Sequence, residues 1–415
     1  MTTIEHFEYV FLGGGKGGKT LAMELAQAGR KVAVIERGMI GGSCINVACI
    51  PTKTLIQTAR TEYILHRQDG KAADMAKVSQ RVKAVVDGMV EINRNALRDS
   101  GLELVLGTGR FVGPRRLEVK TNDGGLRMIE GEHAFINTGT TAAIPDVPGL
   151  KAAEPLTHVE ALVLTTLPES LIVLGGGCIG LEMAQAFRRL GSKVTLIQDA
   201  PRVAMREDED VTEAIEAALK EEGIDIRTGA RPASVTGKSG ESVTVVLHNG
   251  STVSGSHLLV AAGRTPGTSG IGLDAAGVEV DARGFIKTDE RLATTAERTW
   301  AIGEVAGTPM FTHASFDDYR VLRSQLAGGN AKTTRDRIIP YALFIEPELG
   351  RIGLSEADAK ARGIAVRVAK LPMAAVPRAR TNGATKGFMK MLIDADSDAI
   401  LGFAMLGTNA GEVVT

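Results

Sequence analysis

Four residues in a row, Tyr9-Val10-Phe11-Leu12, run into a glycine cluster, and a segment from Thr20 to Gln27 follows it. An apolar run, a glycine turn and then this segment predict strand, tight turn and helix. Gly29 ends the helix, and Lys31-Val32-Ala33-Val34-Ile35-Glu36 reads as a second buried strand. Short apolar strands separated by a helix are the mark of a βαβ unit in a parallel sheet. The stretch LIVLGGGCIGLEMAQAFRRLGSKVTLIQ, from Leu171 to Gln198, repeats the plan. Here a strand leads into Gly175, Gly177 and Gly180, a helix ends at Gly191, and a strand ends at Gln198. The expected class is α/β.

The first turn, FLGGGKGGKTLAME, matches two phosphate-binding fingerprints. Gly13, Gly15 and Gly18 fit G-x-G-x-x-G, the dinucleotide turn, while Gly13, Gly18, Lys19 and Thr20 fit a P-loop for a nucleoside triphosphate. A triphosphate site needs one P-loop and a later strand ending in a magnesium-binding Asp. A dinucleotide unit needs an acidic residue roughly 20 positions on for the ribose hydroxyls, and Glu36 stands there. Two full βαβ copies together with Glu36 favour the dinucleotide reading. Lys19 then falls in the first helical turn, where a cation opposes the helix dipole.

Composition narrows the class without changing it. The 415 residues suffice for two or three domains. Net charge is −1, so no basic footprint points to nucleic acid or an acidic membrane surface. No apolar run approaches the ~20 residues that span a bilayer, and MTTIEHFEYVFLGGG shows no signal-peptide pattern. A cytoplasmic location is the expectation. Three cysteines are too few for a disulfide scaffold, so a pair among them is expected to be redox-active.

Two of those cysteines, Cys44 and Cys49, lie in GGSCINVACIPTKTLI. Zinc sites prefer a shorter spacing and a second ligand cluster; His6, His66, His133, His158, His248, His257 and His313 form none, so no metal site is expected. A disulfide requires Cα atoms about 4.4–6.8 Å apart. Residues five apart in a regular helix are separated by ~7.5 Å of rise alone, so the segment must bend for the bond to form. Pro51 favours a break, and the thiols would then lie just before a helix N-terminus, where a thiolate is stabilised. Two buried structural cysteines are the plainer alternative.

GGSCINVACIPTK resembles the redox-active motif of the class I pyridine nucleotide-disulfide oxidoreductases, which include glutathione reductase, dihydrolipoamide dehydrogenase, mercuric reductase and a reactive-chlorine-resistance branch. The resemblance extends along nearly the whole chain. INTG at Ile136–Gly139, AAGRTP at Ala261–Pro266, WAIGEVAG at Trp300–Gly307 and PYALFIEPELGRIGLSEADA at Pro340–Ala359 are similar to further family motifs. FTHASFDDYRVL, from Phe311, most resembles the mercuric-reductase-like and reactive-chlorine-resistance members.

The resemblance implies FAD and NADPH or NADH as cofactors, with electrons passing from nicotinamide to FAD, to a Cys44–Cys49 disulfide, and on to an oxidised thiol, metal ion or reactive oxidant. It implies that Gly13, Gly15, Gly18 and Glu36 hold the ADP half of FAD, with Gly42, Ser43, Gly139, Gly263, Arg264, Gly303 and Glu304 as further cofactor contacts. Gly175, Gly177, Gly180 and Gln198 would serve the nicotinamide cofactor. Cys49 would be the charge-transfer thiolate against the flavin and Cys44 the interchange thiol. Lys53, also beside the flavin, would pair with Glu182. Dihydrolipoamide oxidation, a slow redox sensor and, remotely, a P-loop NTPase are the alternative functions.

The implied architecture is two Rossmann-like dinucleotide-binding domains, for FAD (1–150 and 267–334) and NAD(P) (151–266), plus an incomplete α+β dimerisation domain (335–415). The partners implied are a small-molecule or metal-ion electron acceptor and, for a full-length parent, a second copy of the chain.

Three departures from the family pattern stand out. Glu304 replaces the usual aspartate, and Cys178 lies inside the second glycine turn, as a buried filler or an extra reactive thiol. The chain ends at LGFAMLGTNAGEVVT, before the family's catalytic His-Glu pair, so a C-terminally truncated member is expected. His313 is the only histidine beside a flavin-contact motif. Neutral Gln198, with Arg202 and Arg206 following, leans towards NADPH with NADH tolerated.

Overall fold

A computed structural model describes residues 3–66, 70–328 and 332–415. Residues 1–2, 67–69 and 329–331, all within the expected FAD segments, lie outside the described residues. The chain divides into two units, one of Met1–Pro51, Ala84–Thr141 and Arg264–Arg337, the other of Thr52–Lys83, Ala142–Gly263 and Ile338–Thr415.

The first unit is built on a parallel sheet. Its strands are β1 (Ile4–Leu12), β2 (Val32–Glu36), the start of β3 (Glu103–Gly113), the end of β5 (Leu126–Ile136) and Thr299–Ala301. β1 lies between β2 and β5, β3 flanks β2, and Thr299–Ala301 flanks β5. The far half of β3 and the near half of β5 also flank β4 (Arg116–Thr121) as antiparallel partners within the same six-stranded sheet.

Alternation along the strands explains how both faces are filled. Val10, Leu12, Ala33, Ile35, Ala134 and Ile136 point into one core, with Phe111, Leu117 and Ile129. Phe11, Val32, Val34 and Phe135 point into the other, with Leu21 of helix α1 (Lys16–Gln27) and Tyr319 and Leu322 of the helix Thr312–Leu326. A strand buried on both faces reads as an unbroken apolar run because its period-2 alternation has no polar side, which is why β2 is recognisable from sequence.

The second unit repeats the arrangement. Ser170–Leu174 lies between His257–Val260 and Lys193–Ile197, with Asp225–Arg227 outside, all parallel. Beyond it Ile338–Thr415 forms a five-stranded antiparallel sheet.

The predicted elements are present with shifted edges. α1 starts at Lys16, four residues before the expected Thr20, because Gly17 and Gly18 are themselves helical. The second strand starts at Val32 and the last strand of the repeat stops at Ile197.

Candidate functional site

The first glycine turn is shaped by its neighbour strand. Gly13 has φ +101°, and a Cβ there would lie 2.4 Å from the Asn137 carbonyl oxygen, so only glycine fits between β1 and β5. Gly175 repeats this in the second unit, with φ +111° and a hypothetical Cβ 2.4 Å from the Ala261 carbonyl. α1 begins just after Gly15 with no acidic residue in its first turn, leaving its positive end free for an anion.

Glu36, at the end of β2, accepts the Gly14 N–H at 2.8 Å and the Gly38 and Met39 N–H groups at 2.8 and 2.9 Å. Its carboxylate is thereby fixed beside the turn.

Asn137 was not expected among the site residues. Its Nδ2 and the hydroxyl of Thr138 are buried with no hydrogen-bond partner among the described residues. The amide lies on the turn itself, since a Cβ on Gly15 or Gly18 would come within 2.8 or 2.6 Å of Nδ2. A buried donor without an acceptor is costly unless a ligand supplies one. Together with the open helix start, it fits the phosphate oxygens of a bound dinucleotide.

The bend between the cysteines is real, but its form differs from the expectation. Ser43–Asn46 make a short helix, α2, that contains Cys44; the chain breaks at Val47-Ala48, and α3 (Cys49–His66) begins with Cys49 itself. Cys44 therefore has a helix of its own, and only Cys49 sits at the start of the long one. Gly42, left-handed at φ +83°, leads into α2 and Ser43 is its first residue.

Cys44 and Cys49 hydrogen-bond to each other, and Thr312, the first residue of the helix Thr312–Leu326, joins both. Its hydroxyl lies 3.1 Å from Cys49 Sγ. The Cys49 contact and burial push the Cys44 thiol well above its ordinary value, while Thr312 and the Lys19 ammonium pull it back. Cys44 therefore holds its proton more tightly than an ordinary thiol. Thr312 lay within the FTHAS stretch, yet no spacing rule marks a hydroxyl that reaches the thiols from 263 residues away.

Lys53 lies one turn after Cys49 on α3, and its ammonium meets both oxygens of Glu182 at 2.8 and 3.0 Å. Glu182 is buried on the helix Cys178–Leu190 and also accepts the Phe344 N–H at 3.0 Å. Lys53 stands over the Phe344 ring, 4.7 Å from its centre. The pairing expected from sequence is thus formed, with Phe344 as an unforeseen third member.

Gln198 occupies in the second unit the place of Glu36 in the first. Its Oε1 accepts the Gly176 N–H at 2.7 Å, which leaves the amide nitrogen as its donor. Gly177 precedes the helix Cys178–Leu190 as its cap, and Gly180 lies inside its first turn. Cys178, the first residue of that helix, reaches the surface, yet the atoms crowded around its thiol push it up to about 11.

Glu304 follows Gly303, which has φ +75°. Its carboxylate accepts from the Thr140 hydroxyl and lies 3.2 Å from Arg264 Nε. Arg264, directly after Gly263, also donates to the Thr140 carbonyl at 3.0 Å, and Gly139 precedes that threonine. This turn is anchored from below by Asp318, fully buried, which accepts the Gly303 N–H at 2.7 Å and the Thr308 hydroxyl at 2.8 Å. His313 stacks on Phe311 with ring centres 5.4 Å apart.

Comparison with known proteins places this geometry in context. The family model described as pyridine nucleotide-disulphide oxidoreductase matches residues 7–318, and the dimerisation-domain model of the same family matches residues 339–415. The chain is 37% identical over 413 residues to the probable pyridine nucleotide-disulfide oxidoreductase RclA of Escherichia coli K12, covering 98% of this chain and 91% of that one. It is 35% identical over 419 residues to a mercuric reductase of Bacillus cereus, covering 98% of this chain and 66% of that one. A solved structure described as the Cu(II) complex of the HOCl-induced flavoprotein disulfide reductase RclA from E. coli superposes with a TM-score of 0.91 at 36% identity, covering 99% of this chain and 91% of that one. No helix among the described residues is long and apolar enough to cross a membrane.

Proposed function

The chain belongs to the pyridine nucleotide-disulphide oxidoreductase family, and on that premise we propose that it reduces an oxidised sulfur compound, metal ion or reactive oxidant at the Cys44–Cys49 pair with electrons from NADPH. The family's cofactors are FAD and NAD(P)H. Bound FAD supplies a carrier that accepts a hydride from nicotinamide and releases the electron pair to sulfur. In this chain Gly13, Gly15, Gly18, Glu36 and the free Asn137 amide would hold its ADP half, with Gly42, Ser43, Gly139, Gly263, Arg264, Gly303 and Glu304 lining the remainder. Lys53, fixed by Glu182, supplies positive charge one helical turn from Cys49. Gly175, Gly177 and Gly180 offer the second anion cradle.

The observation that carries the reading is the contact between the two thiols, with Cys49 at a helix start and Thr312 bonded to both. The helix start and the hydroxyl favour an anion on Cys49, and the proton kept by Cys44 is released when that sulfur attacks. With a disulfide substrate RS–SR′, Cys44 sulfur bonds to one substrate sulfur while the S–S bond breaks and R′S⁻ leaves with the electron pair. Cys49 then attacks Cys44 sulfur, closing the protein disulfide and releasing RS⁻. One NADPH and one proton restore the dithiol, so the cycle sums to RS–SR′ + NADPH + H⁺ → RSH + R′SH + NADP⁺.

NADPH is favoured over NADH because Gln198 presents an amide donor where an acidic residue would repel the 2′-phosphate. The dimerisation-domain match supports a homodimer as the working form. The test is steady-state NADPH oxidation with a small aromatic disulfide, and separately with ferricyanide, by the parent, Cys44→Ser and Cys49→Ser proteins. Both variants should lose disulfide reduction and keep ferricyanide reduction. Disulfide turnover that survives Cys44→Ser refutes the role given to Cys44.

A further inference from the structure

Lys19 stands in the first turns of α1, immediately after the glycines Gly13, Gly15 and Gly18. It is only 5% exposed. Among the described residues no carboxylate pairs with it; its ammonium donates to Asn93 Oδ1 on α4 (Met75–Asp99), a neutral partner. Asn93 is itself fixed, because its Nδ2 donates to the Met89 carbonyl at 2.8 Å and so turns Oδ1 towards the lysine. A methionine would fill the same space without burying a charge, so a cation here needs an anion nearby to hold its proton.

The placement of α2 says which group can become that anion. Asn93 packs against Gly41, where a Cβ would lie 3.2 Å from its Cγ. Gly42 rests on the glycine turn, its hypothetical Cβ 2.8 Å from Gly15 Cα. The segment that carries Cys44 is therefore clamped between Asn93 and the start of α1, and Lys19 is one helical turn beyond Gly15, whose carbonyl accepts its N–H at 3.0 Å. Among the described residues the titratable groups facing the ammonium are Lys16 on its own helix, which repels it, and Cys44 on α2, which attracts it only as the thiolate; α4 contributes the neutral Asn93.

We propose that Lys19 is a positioning residue for the interchange thiol: its buried ammonium, held by Asn93, stabilises negative charge on Cys44 sulfur and sets how readily that sulfur attacks an oxidised substrate. The proposal rests on Cys44 being the attacking sulfur. Burial and Lys16 lower the lysine itself to about 8, so it remains mostly protonated at neutral pH and gains most from a thiolate beside it.

The experiment follows alkylation of Cys44 by iodoacetamide across pH in the FAD-loaded Cys49→Ser protein, with the Cys44 peptide quantified by mass spectrometry. Lys19→Met should raise the midpoint by about 1 pH unit or more, roughly tenfold slower alkylation below the midpoint, and Lys19→Arg should restore it. FAD content should not change. Where Lys19→Met does not accumulate as folded protein, Lys19→Gln carries the same expectation. An unmoved midpoint overturns the proposal. Loss of FAD with an unmoved midpoint also overturns it and assigns the ammonium to the cofactor's phosphates. A Cys44 that resists alkylation at every pH in the presence of Lys19 would instead sink the underlying assignment of Cys44.

Discussion

Replacing Thr312 with valine removes one oxygen from beside the thiol pair and leaves the shape of the side chain unchanged. That oxygen is 3.1 Å from Cys49 Sγ and also hydrogen-bonds Cys44, where it favours the thiolate. A hydrogen bond to a charged group contributes about 1.5–3 kcal/mol. At 1.36 kcal/mol per pKa unit, its loss should raise the ionisation midpoint of Cys49 by about 1–2 units. The start of α3 still acts on Cys49, so the thiolate should be weakened and not abolished.

The assay is the pH dependence of Cys49 alkylation in a Cys44→Ser background, with and without Thr312→Val. Below the midpoint the variant should react about 10- to 100-fold more slowly, the kinetic equivalent of that shift. Thermal melts of the two proteins guard against a folding defect. A midpoint that moves by less than about 0.3 unit, ~0.4 kcal/mol, would show that the hydroxyl holds no charge in place and refute the reasoning.

Two other perturbations test parts of the structure away from the thiols. Lys390, with no side-chain exposure, bridges Asp208, Asp210 and Glu356 at 2.7–2.8 Å, so Lys390→Met should lower stability by up to about 3 kcal/mol, with Arg351 still paired to Asp208 and Lys370 to Asp210. Burial acts to raise the Asp208 and Asp210 carboxyls, yet Lys390 and, for Asp210, Lys370 hold both below their ordinary value. Their contribution is therefore full above about pH 4 and is lost as pH falls through the depressed values, and the melting-temperature gap between parent and Lys390→Met should narrow over that range. A constant gap would show that the lysine acts by packing alone. Gln198→Glu should move the ratio of kcat/KM values towards NADH by about tenfold or more, ~1.4 kcal/mol, because a carboxylate accepts from a 2′-hydroxyl and repels a 2′-phosphate. A parent protein that already prefers NADH above about tenfold removes the basis for that expectation.

What the sequence determined by itself is what depends on local pattern. The strands β1 and β2 and their repeats Ser170–Leu174 and Lys193–Ile197 were legible because strands buried on both faces leave continuous apolar runs, and the glycine turns because positive φ and close strand approach exclude a side chain at Gly13 and Gly175. Pro51 announced the break between the cysteines, though not that Cys44 would occupy a separate turn of helix. Tertiary structure decided the partners. Thr312, Asn137 and Asn93 meet the cysteines, the glycine turn and Lys19 only because the sheet and its helices bring distant segments together. Phe344 joins Lys53 and Glu182 in the same way. Such contacts carry no periodicity, since a hydrogen bond depends on distance in space and is indifferent to separation along the chain. The buried Lys19, read from sequence as a cation opposing a helix dipole, becomes a cation beside a thiol once α2 is folded against α1.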